Sequence, residues 1–310
     1  MLNILFSAQP ARWDEYEKPL NAALARAGLK ANLVREHAPD SVDYIVFAPN
    51  GPVTDFSPYA RTKAVMSLWA GVETVVGNAT LTQPLCRLVD DSLTNGMVEW
   101  VTGHTLRYHL GMDEHITKQD GVWRDFIYPP IAKNRPVTIL GIGALGAACG
   151  QALHALGFPV TGWSRSPKAI PNIRCLHGEA GLNKALEGAE IVILLLPQTP
   201  DTNDILNQDT LALLSRGAFI INPGRGPLID DNALLEALDS GQLARATLDV
   251  FRTEPLPANH RFWTHPKITV TPHIASSTRP ETASEVIAKN IARGEAGQPF
   301  LHVVDRSLGY

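Results

Sequence analysis

Short apolar runs alternate with longer amphipathic stretches through the second half of the chain, beginning near residue 136. The runs are continuous and rich in valine, isoleucine and leucine, which is typical of strands buried on both faces of a parallel sheet. The stretches between them carry apolar residues at helical spacing. The predicted strands are 136–143, 158–165, 191–197, 217–224, 246–251 and 267–274, and the predicted helices are 144–157, 201–215 and 231–244. This alternation predicts a doubly wound α/β architecture with a parallel sheet.

The N-terminal third of the chain alternates in the same way but less regularly, which predicts a second, smaller, flavodoxin-like α/β domain. Its predicted strands are 2–8, 42–49, 63–69 and 73–78, with a helix at 13–28. The helical pattern at 92–116 is expected to bridge the domains, and a further helix at 280–297 to return to the smaller one. We therefore expect a discontinuous domain formed by 1–98 and 284–310, and a second domain formed by 99–283.

Composition and charge narrow the class of protein. A chain of 310 residues with 45% hydrophobic and 19% charged residues suggests about two globular domains, at roughly 150 residues each. The net charge of -4 gives no reason to expect nucleic acid or an anionic membrane as a partner. No apolar run approaches the roughly 20 residues that span a bilayer, and the N-terminus lacks the basic region of a signal peptide.

Cysteine and histidine spacing argues against disulfides and metal sites. The three cysteines are an odd number without a CxxC pair, which fits a reducing cytoplasm. The ten histidines include no HExxH motif and no zinc-finger spacing. Cys175 and His177 lie two residues apart on a predicted strand, but no further ligands accompany them. We therefore expect a cytoplasmic protein without a bound metal ion.

The sequence GIGALG, which starts at Gly141, lies between a predicted strand and a predicted helix. In that context Gly141 permits a tight turn, Gly143 lets the backbone approach a pyrophosphate, and Gly146 lets the helix pack on the strand. Ala144 and Leu145 begin the helix, whose free N–H groups would face the phosphates. The alternative is an ordinary turn, but the context favours a dinucleotide-binding Rossmann fold.

The residues after the next strand indicate which dinucleotide is bound. NAD-selective sites usually carry an acidic residue here, which bonds the ribose 2′-hydroxyl. In this chain Ser164 lies near that position, and Arg165, Ser166 and Lys168 follow it. An arginine suits the 2′-phosphate by charge and by its planar set of donors. We therefore expect NADPH to be preferred and NADH to be possible, although a solvated basic turn would have the same composition.

Three strand ends each bring a chemically useful side chain to one edge of the predicted sheet. Arg225 lies between two glycines, Glu254 follows Asp249 in a proline-bounded loop, and His273 ends the last strand. Hydride transfer to a 2-keto acid needs a cation for the carboxylate, a proton donor for the developing alkoxide, and a partner that keeps the donor charged. Residue types alone leave open a surface arginine and a core histidine.

The motifs GIGALG, LLLPQTPDT, NPGRG, LDVFRTEPLP and TPHIAS occur in the order and at the spacings of one family, so the chain resembles the NAD(P)-dependent D-isomer-specific 2-hydroxyacid dehydrogenases over nearly its whole length. The resemblance implies that Arg225 binds the substrate carboxylate, and that His273 is the acid/base with Glu254 as its partner. It also implies that Asp249 contacts the nicotinamide carboxamide and that Pro197 lines the cofactor cleft.

The sequence AGVE resembles the AGVD turn of the same family, in which backbone N–H groups hold the substrate carboxylate. The resemblance assigns that role to Gly71 and Val72, and the departure at Glu73 does not affect the backbone. Trp69 before the turn and Trp100 in the bridging helix are candidates for narrowing the pocket to small keto acids. The alternative interpretation is that both tryptophans are core or interface aromatics.

Within the family, the length, the sequence WSRS and the closing VDRSLGY are most similar to the glyoxylate/hydroxypyruvate reductase A group. That resemblance implies NADPH-dependent reduction of a small 2-keto acid, glyoxylate to glycolate or hydroxypyruvate to glycerate. It also implies a homodimer, with the bridging helix as its interface. The alternatives are another dehydrogenase of the family, of the phosphoglycerate or D-lactate type, or a non-catalytic NAD(P)-sensing co-repressor.

Overall fold

The computed structural model of the protein describes residues 1–125 and 128–306. Residues 307–310, which end the VDRSLGY stretch, lie outside the described residues. The strands are β1 Leu2–Ser7, β2 Ala31–Val34, β3 Tyr44–Phe47, β4 Ala64–Ser67, β5 Leu85–Cys86, β6 Val137–Leu140, β7 Val160–Ser164, β8 Arg174–His177, β9 Ile191–Leu194, β10 Ala218–Asn222, β11 Leu243–Leu248 and β12 Ile268–Val270. The α-helices are α1 Pro10–Arg26, α2 Asp91–His109, α3 Met112–Ile116, α4 Ala144–Ala155, α5 Gly178–Leu186, α6 Gln208–Ala212, α7 Asp231–Asp239 and α8 Pro280–Glu295.

The chain divides into two compact units, Met1–Leu93 with Ser277–Tyr310, and Thr94–Ser276. We call them unit 1 and unit 2. The boundaries that the sequence suggests, after residues 98 and 283, fall inside helices α2 and α8 and stay a prediction.

Unit 1 is built on a parallel sheet with the strand order β2-β1-β3-β4-β5 among its described residues. Side chains alternate between the two faces of a strand, so neighbouring residues of β1 belong to different cores. Ile4 and Phe6 pack with helices α1 and α8. Leu5 packs with apolar residues of the loops between 53 and 81. This is the flavodoxin-like order, and it confirms the predicted smaller α/β domain.

Unit 2 carries a larger parallel sheet, ordered β12-β11-β10-β9-β6-β7-β8 in the part of the chain that is described. Ile191 and Ile193 of β9 face one core, and Val192 and Leu194 face the other, so the sheet is covered on both faces. The strand order reverses between β6 and β9, and ligands of such sheets bind at the carboxyl ends of the strands beside this point. The predicted doubly wound Rossmann architecture is confirmed.

Three local predictions were wrong for identifiable reasons. Residues 73–78 form successive turns rather than a strand, because the Val75 and Val76 N–H groups donate to the Val72 carbonyl at 3.0 and 2.9 Å. The helix expected at 92–116 is interrupted after His109, where Gly111 adopts a left-handed φ of 63°. Of the helix expected at 201–215, the structure keeps α6 and a short 3₁₀ turn at Pro200–Thr202.

Candidate active site

The glycine turn after β6 has the geometry that a bound pyrophosphate requires. Gly141 has a φ of 101°, and a Cβ there would lie 2.6 Å from the backbone of Leu195. A Cβ on Gly146 would overlap the Gly141 carbonyl oxygen, so α4 packs directly on the turn. Gly143 caps α4 and borders open space, and Ala144 beside it is exposed while Leu145 is half-buried. The open N-terminus of α4 therefore fits a dinucleotide phosphate.

The turn after β7 presents positive charge and a hydroxyl group to solvent. Ser164 ends β7 and donates its hydroxyl hydrogen to the Ser166 carbonyl at 2.8 Å. Arg165, Ser166 and Lys168 are exposed. The Arg165 guanidinium lies 3.9 Å from the Asp201 carboxylate, and an exposed pair at that distance contributes little. These groups fit the 2′-phosphate that the sequence analysis predicts for this turn.

Pro197 follows β9 and is half-buried beside the same edge of the sheet. Its carbonyl accepts a hydrogen bond from the Thr202 hydroxyl at 2.8 Å, which ties the segment after β9 to the 3₁₀ turn. Contact between Pro197 and a cofactor stays a prediction.

The loop that carries Arg225 is stabilised by hydrogen bonds between its own residues. Asn222, 1% exposed at the end of β10, donates its amide to the Arg225 carbonyl at 2.9 Å and accepts the Gly224 N–H at 3.1 Å. The guanidinium donates to the Gly224 carbonyl at 2.7 Å. A Cβ on Gly226 would overlap the backbone where Phe251 joins Arg252. The Arg225 loop and the loop after β11 are therefore in direct backbone contact.

The structure brings His273 and Glu254 together. His273 Nδ1 lies 2.7 Å from Glu254 Oε2, and Glu254 Oε1 accepts the Phe251 N–H at 2.9 Å. A carboxylate at Nδ1 keeps a proton on that nitrogen, so Nε2 is the ring atom that can exchange a proton with a substrate. The side chain of His273 is 53% exposed, so the core-residue alternative is excluded for the described structure.

Asp249 is completely buried, whereas Arg225 is half-buried and Glu254 and His273 are exposed. Its carboxylate accepts hydrogen bonds from the segment that carries His273: the Thr271 hydroxyl at 2.6 Å, the Ile274 N–H at 2.9 Å and the Ala275 N–H at 2.8 Å. The nicotinamide contact that the family resemblance implies for Asp249 stays a prediction.

Sequence reasoning missed three residues that support the site: Asn222, Thr271 and Arg252. Arg252 donates to the Ile229 carbonyl at 2.6 Å and pairs with the Asp204 carboxylate, so it ties the loop of Glu254 to the segment after Arg225. Burial raises the pKa of Asp231, which lies 3.6 Å from the same guanidinium. An asparagine directly before PGRG was a readable signal, because asparagine often braces turns. Thr271 and Arg252 gave no such signal.

The substrate-binding residues predicted from the AGVE turn lie in unit 1, after β4. Trp69 is 40% exposed, and its carbonyl accepts the Ser67 hydroxyl and the Leu88 N–H, each at 3.0 Å. Gly71 is half-buried, and the side chain of Val72 packs in a core cluster of unit 1. The buried side chain of Val72 is therefore not available to a substrate, and its backbone N–H stays a candidate beside that of Gly71. The roles of these residues stay predictions.

Trp100 lies on α2 and packs against the core of unit 2. Its ring centroid is 4.3 Å from that of His104, whose pKa is lowered by burial. These contacts favour the interpretation of Trp100 as a core aromatic.

Residues 1–125 and 128–306 contain no group of three or more His, Cys, Asp or Glu side chains that could hold a metal ion. The Cys175 thiol points to the Ile173 carbonyl at 3.5 Å. Within the same residues, none of the helices has the length and apolar character to cross a membrane.

A glycine turn that fits a dinucleotide phosphate, a histidine–carboxylate pair and an arginine loop on one doubly wound sheet are the features expected of an NAD(P)-dependent oxidoreductase. The family model for the NAD-binding domain of D-isomer-specific 2-hydroxyacid dehydrogenases matches residues 104–275. The chain is 40% identical to glyoxylate/hydroxypyruvate reductase A of Serratia proteamaculans over 318 aligned residues, which cover 100% of both proteins. The chain belongs to the D-isomer-specific 2-hydroxyacid dehydrogenase family.

Solved structures agree over the whole length. A D-isomer-specific 2-hydroxyacid dehydrogenase from Xanthobacter autotrophicus Py2, in complex with NADPH and MES, is 38% identical with a TM-score of 0.93 and covers 99% of each chain. The NADPH-dependent glyoxylate/hydroxypyruvate reductase of Sinorhizobium meliloti, in complex with NADP and sulfate, is 35% identical with a TM-score of 0.88 and covers 100% of each chain.

Proposed function

We propose that the protein reduces small 2-keto acids with NADPH, converting glyoxylate to glycolate and hydroxypyruvate to glycerate. The observation that carries this proposal is the hydrogen bond between His273 and Glu254, which lie in unit 2 together with the braced Arg225 loop. The names of the relatives from Serratia proteamaculans and Sinorhizobium meliloti support the substrate class.

Three side chains of unit 2, those of Arg225, His273 and Glu254, each have one task in this reaction. NADPH, when bound, supplies the hydride that adds to the keto carbon. Arg225 holds the substrate carboxylate through charge-assisted hydrogen bonds and orients the carbonyl group. His273 gives the Nε2 proton to the carbonyl oxygen as that oxygen gains negative charge. Glu254 stabilises the imidazolium before the transfer and fixes the orientation of the ring through Nδ1.

We further propose that the backbone N–H groups of Gly71 and Val72 bind the substrate carboxylate, and that Trp69 contacts the remainder of the small substrate. The exposure of Trp69 and the burial of the Val72 side chain support this division between side chain and backbone. The cytoplasmic location, which rests on cysteine usage, is part of the same proposal.

Steady-state kinetics with glyoxylate and hydroxypyruvate, using NADPH and NADH, test the function and the cofactor choice. We expect kcat/KM to favour NADPH, and Arg165→Asp to lower kcat/KM for NADPH by about 10- to 100-fold, because one charge-assisted bond contributes about 1.5–3 kcal/mol. Arg174→Asp is the matched control. It makes the same charge change at an exposed residue on β8 and should leave both values near native. A native preference for NADH would contradict the assignment.

The same panel separates the alternatives when pyruvate and 3-phosphohydroxypyruvate are added. Turnover confined to pyruvate assigns a D-lactate type, and turnover confined to the phosphorylated acid assigns the phosphoglycerate type. Tight NADPH binding without oxidation by any keto acid would favour the sensing protein.

We also propose that the protein is a homodimer whose interface includes the end of the predicted bridging helix 92–116 and the residues that follow it. Seven large apolar side chains of the described residues between 110 and 131 are exposed, and exposed apolar surface marks many protein–protein interfaces. Their exposed fractions are 46% for Leu110, 43% for Met112, 60% for Ile116, 60% for Val122, 87% for Trp123, 83% for Tyr128 and 59% for Ile131. A second copy of the chain is the partner that the family resemblance implies.

Mass measurement by light scattering during gel filtration tests the dimer. We expect the native mass to equal two chains and Trp123→Asp to shift it toward one chain, because a buried unpaired carboxylate opposes association. Trp263→Asp is the control, since Trp263 is 49% exposed outside this segment. A native mass of one chain would exclude the proposed dimer.

A further inference from the structure

One residue makes four hydrogen bonds to the turn that carries His273. Besides the three bonds to its carboxylate, the backbone carbonyl of Asp249 accepts the His273 N–H at 2.8 Å. Asp249 therefore satisfies the N–H groups of three successive residues, 273–275, and the hydroxyl group of Thr271. The N–H groups of Ile274 and Ala275 converge on the carboxylate, as in the backbone nests that bind anions. We call the full set of four bonds the cradle.

The backbone conformation of His273 explains why such a cradle is needed. His273 has a φ of 55°, in the left-handed region that residues other than glycine seldom adopt. A conformation of this kind persists only where the surrounding structure enforces it. The bonds from Asp249 bracket His273 on both sides, and so they set the direction in which the imidazole leaves the backbone.

Most of the hydrogen-bond acceptor positions of the Asp249 carboxylate are filled by donors from this turn. A carboxylate offers about four acceptor positions. Oδ1 takes the Thr271 hydroxyl and the Ile274 N–H, and Oδ2 takes the Ala275 N–H. One position remains on Oδ2, and the carboxamide contact implied by the family resemblance would use it.

We propose that Asp249 is the positioning residue of the proton donor. Its carboxylate holds the 271–275 turn in place, so that His273 Nδ1 meets Glu254 and Nε2 faces the substrate. The inference rests on the proposed function for the role of His273, but the positioning itself consists of hydrogen bonds within the protein.

Asp249→Asn is the direct test. Asparagine keeps the size of the side chain, but its NH₂ group replaces one carboxylate oxygen. That NH₂ group would then face at least one of the three groups that donate to Asp249, namely the Thr271 hydroxyl and the Ile274 and Ala275 N–H groups, so the turn must shift. We expect kcat for glyoxylate to fall by about 100-fold, the loss expected when a reacting group moves by about 1 Å, with KM for glyoxylate near native. In ¹⁵N-histidine NMR spectra of the cofactor-free protein, the Nδ1–H signal of His273, assigned from its absence in His273→Asn, should be lost.

Thr271→Val keeps the charge of Asp249 and removes one donor, so it remains informative if Asp249→Asn does not fold. We expect a smaller fall in kcat and a weakened Nδ1–H signal, with both restored in Thr271→Ser. Asp43→Asn is the control for a buried carboxylate: Asp43 is 2% exposed in unit 1 and accepts the Asn3 N–H at 2.9 Å. It should lower stability and keep kcat.

Two results would overturn the proposal. In the first, Thr271→Val keeps both the Nδ1–H signal of His273 and the native kcat, and Asp249→Asn keeps the same signal. In the second, Asp249→Asn keeps the Nδ1–H signal of His273, and its weaker binding of NADPH accounts for its whole loss of activity. Failure of the native protein to reduce any keto acid would sink the proposed function alone, because the NMR comparison needs neither substrate nor cofactor.

Discussion

His273→Asn is expected to lower kcat for glyoxylate reduction by about 10²- to 10⁴-fold, the usual contribution of a positioned general acid. The substitution removes the proton that would reach the developing alkoxide, and asparagine has no group of suitable acidity to replace it. NADPH affinity should stay near native, because the glycine turn and the basic turn after β7 are unchanged. Steady-state kinetics and fluorescence titration of NADPH measure the two quantities.

Asparagine is the informative replacement because of the backbone. His273 has a φ of 55°, and asparagine adopts left-handed conformations more readily than alanine. A loss of turnover in His273→Asn is therefore due to the missing imidazole rather than to a displaced turn. Glu254→Gln should cause a smaller fall in kcat, since it keeps a hydrogen-bonding group beside Nδ1 and removes only the charge.

His265→Asn is the matched control for the histidine. His265 lies in the same unit, and its side chain, which is 11% exposed, lies 3.2 Å from the Asp239 carboxylate. Its replacement should leave kcat unchanged. Full turnover in His273→Asn would remove the acid/base role and with it the proposed mechanism.

The second large effect is expected for Gly226→Ala. The added methyl group would overlap the backbone between Phe251 and Arg252, and backbone atoms cannot move aside as a flexible side chain can. The loops of Arg225 and Glu254 must therefore separate. We expect kcat/KM to fall by about 100-fold, because a displacement near 1 Å has that effect on a reacting group. Overpacking should also lower the free energy of unfolding by about 1–3 kcal/mol.

Gly181→Ala provides the comparison for this second variant. Gly181 is buried in helix α5 of the same unit, and a Cβ there would meet its nearest neighbours at an ordinary 3.5 Å. It should fold and turn over like the native protein, as measured by urea unfolding and steady-state kinetics. Equal activity in the two alanine variants would show that the loop contact at Gly226 does not position the site.

The sequence was most informative where a physical rule links chain order to space. Carboxyl ends of parallel strands lie at one edge of a sheet, so Arg225, Glu254 and His273 could be assigned to that edge from their positions after predicted strands. The pairing of Glu254 with His273 at 2.7 Å then follows from two adjacent strands, β11 and β12. The glycine turn was readable for the same reason, since strand, turn and helix are consecutive.

Predictions failed where tertiary contacts decide the local structure. Val75 and Val76 have high strand propensity, but burial of Val75 in a turn overrides it. Strand β2 is only Ala31–Val34, and it exists because β1 pairs with it. The cradle around His273 joins residues more than twenty positions apart, such as Asp249 and Ala275. A local sequence pattern cannot predict such a bond.

The brace at Asn222 and the backbone contact at Gly226 have a consequence for protein engineering. Together they restrain the backbone of the arginine loop, so the point from which the Arg225 side chain leaves the backbone cannot be moved without rebuilding the neighbouring loop as well. Under the role proposed for Trp69, attempts to widen the range of accepted acids are better directed to its indole, which is 40% exposed.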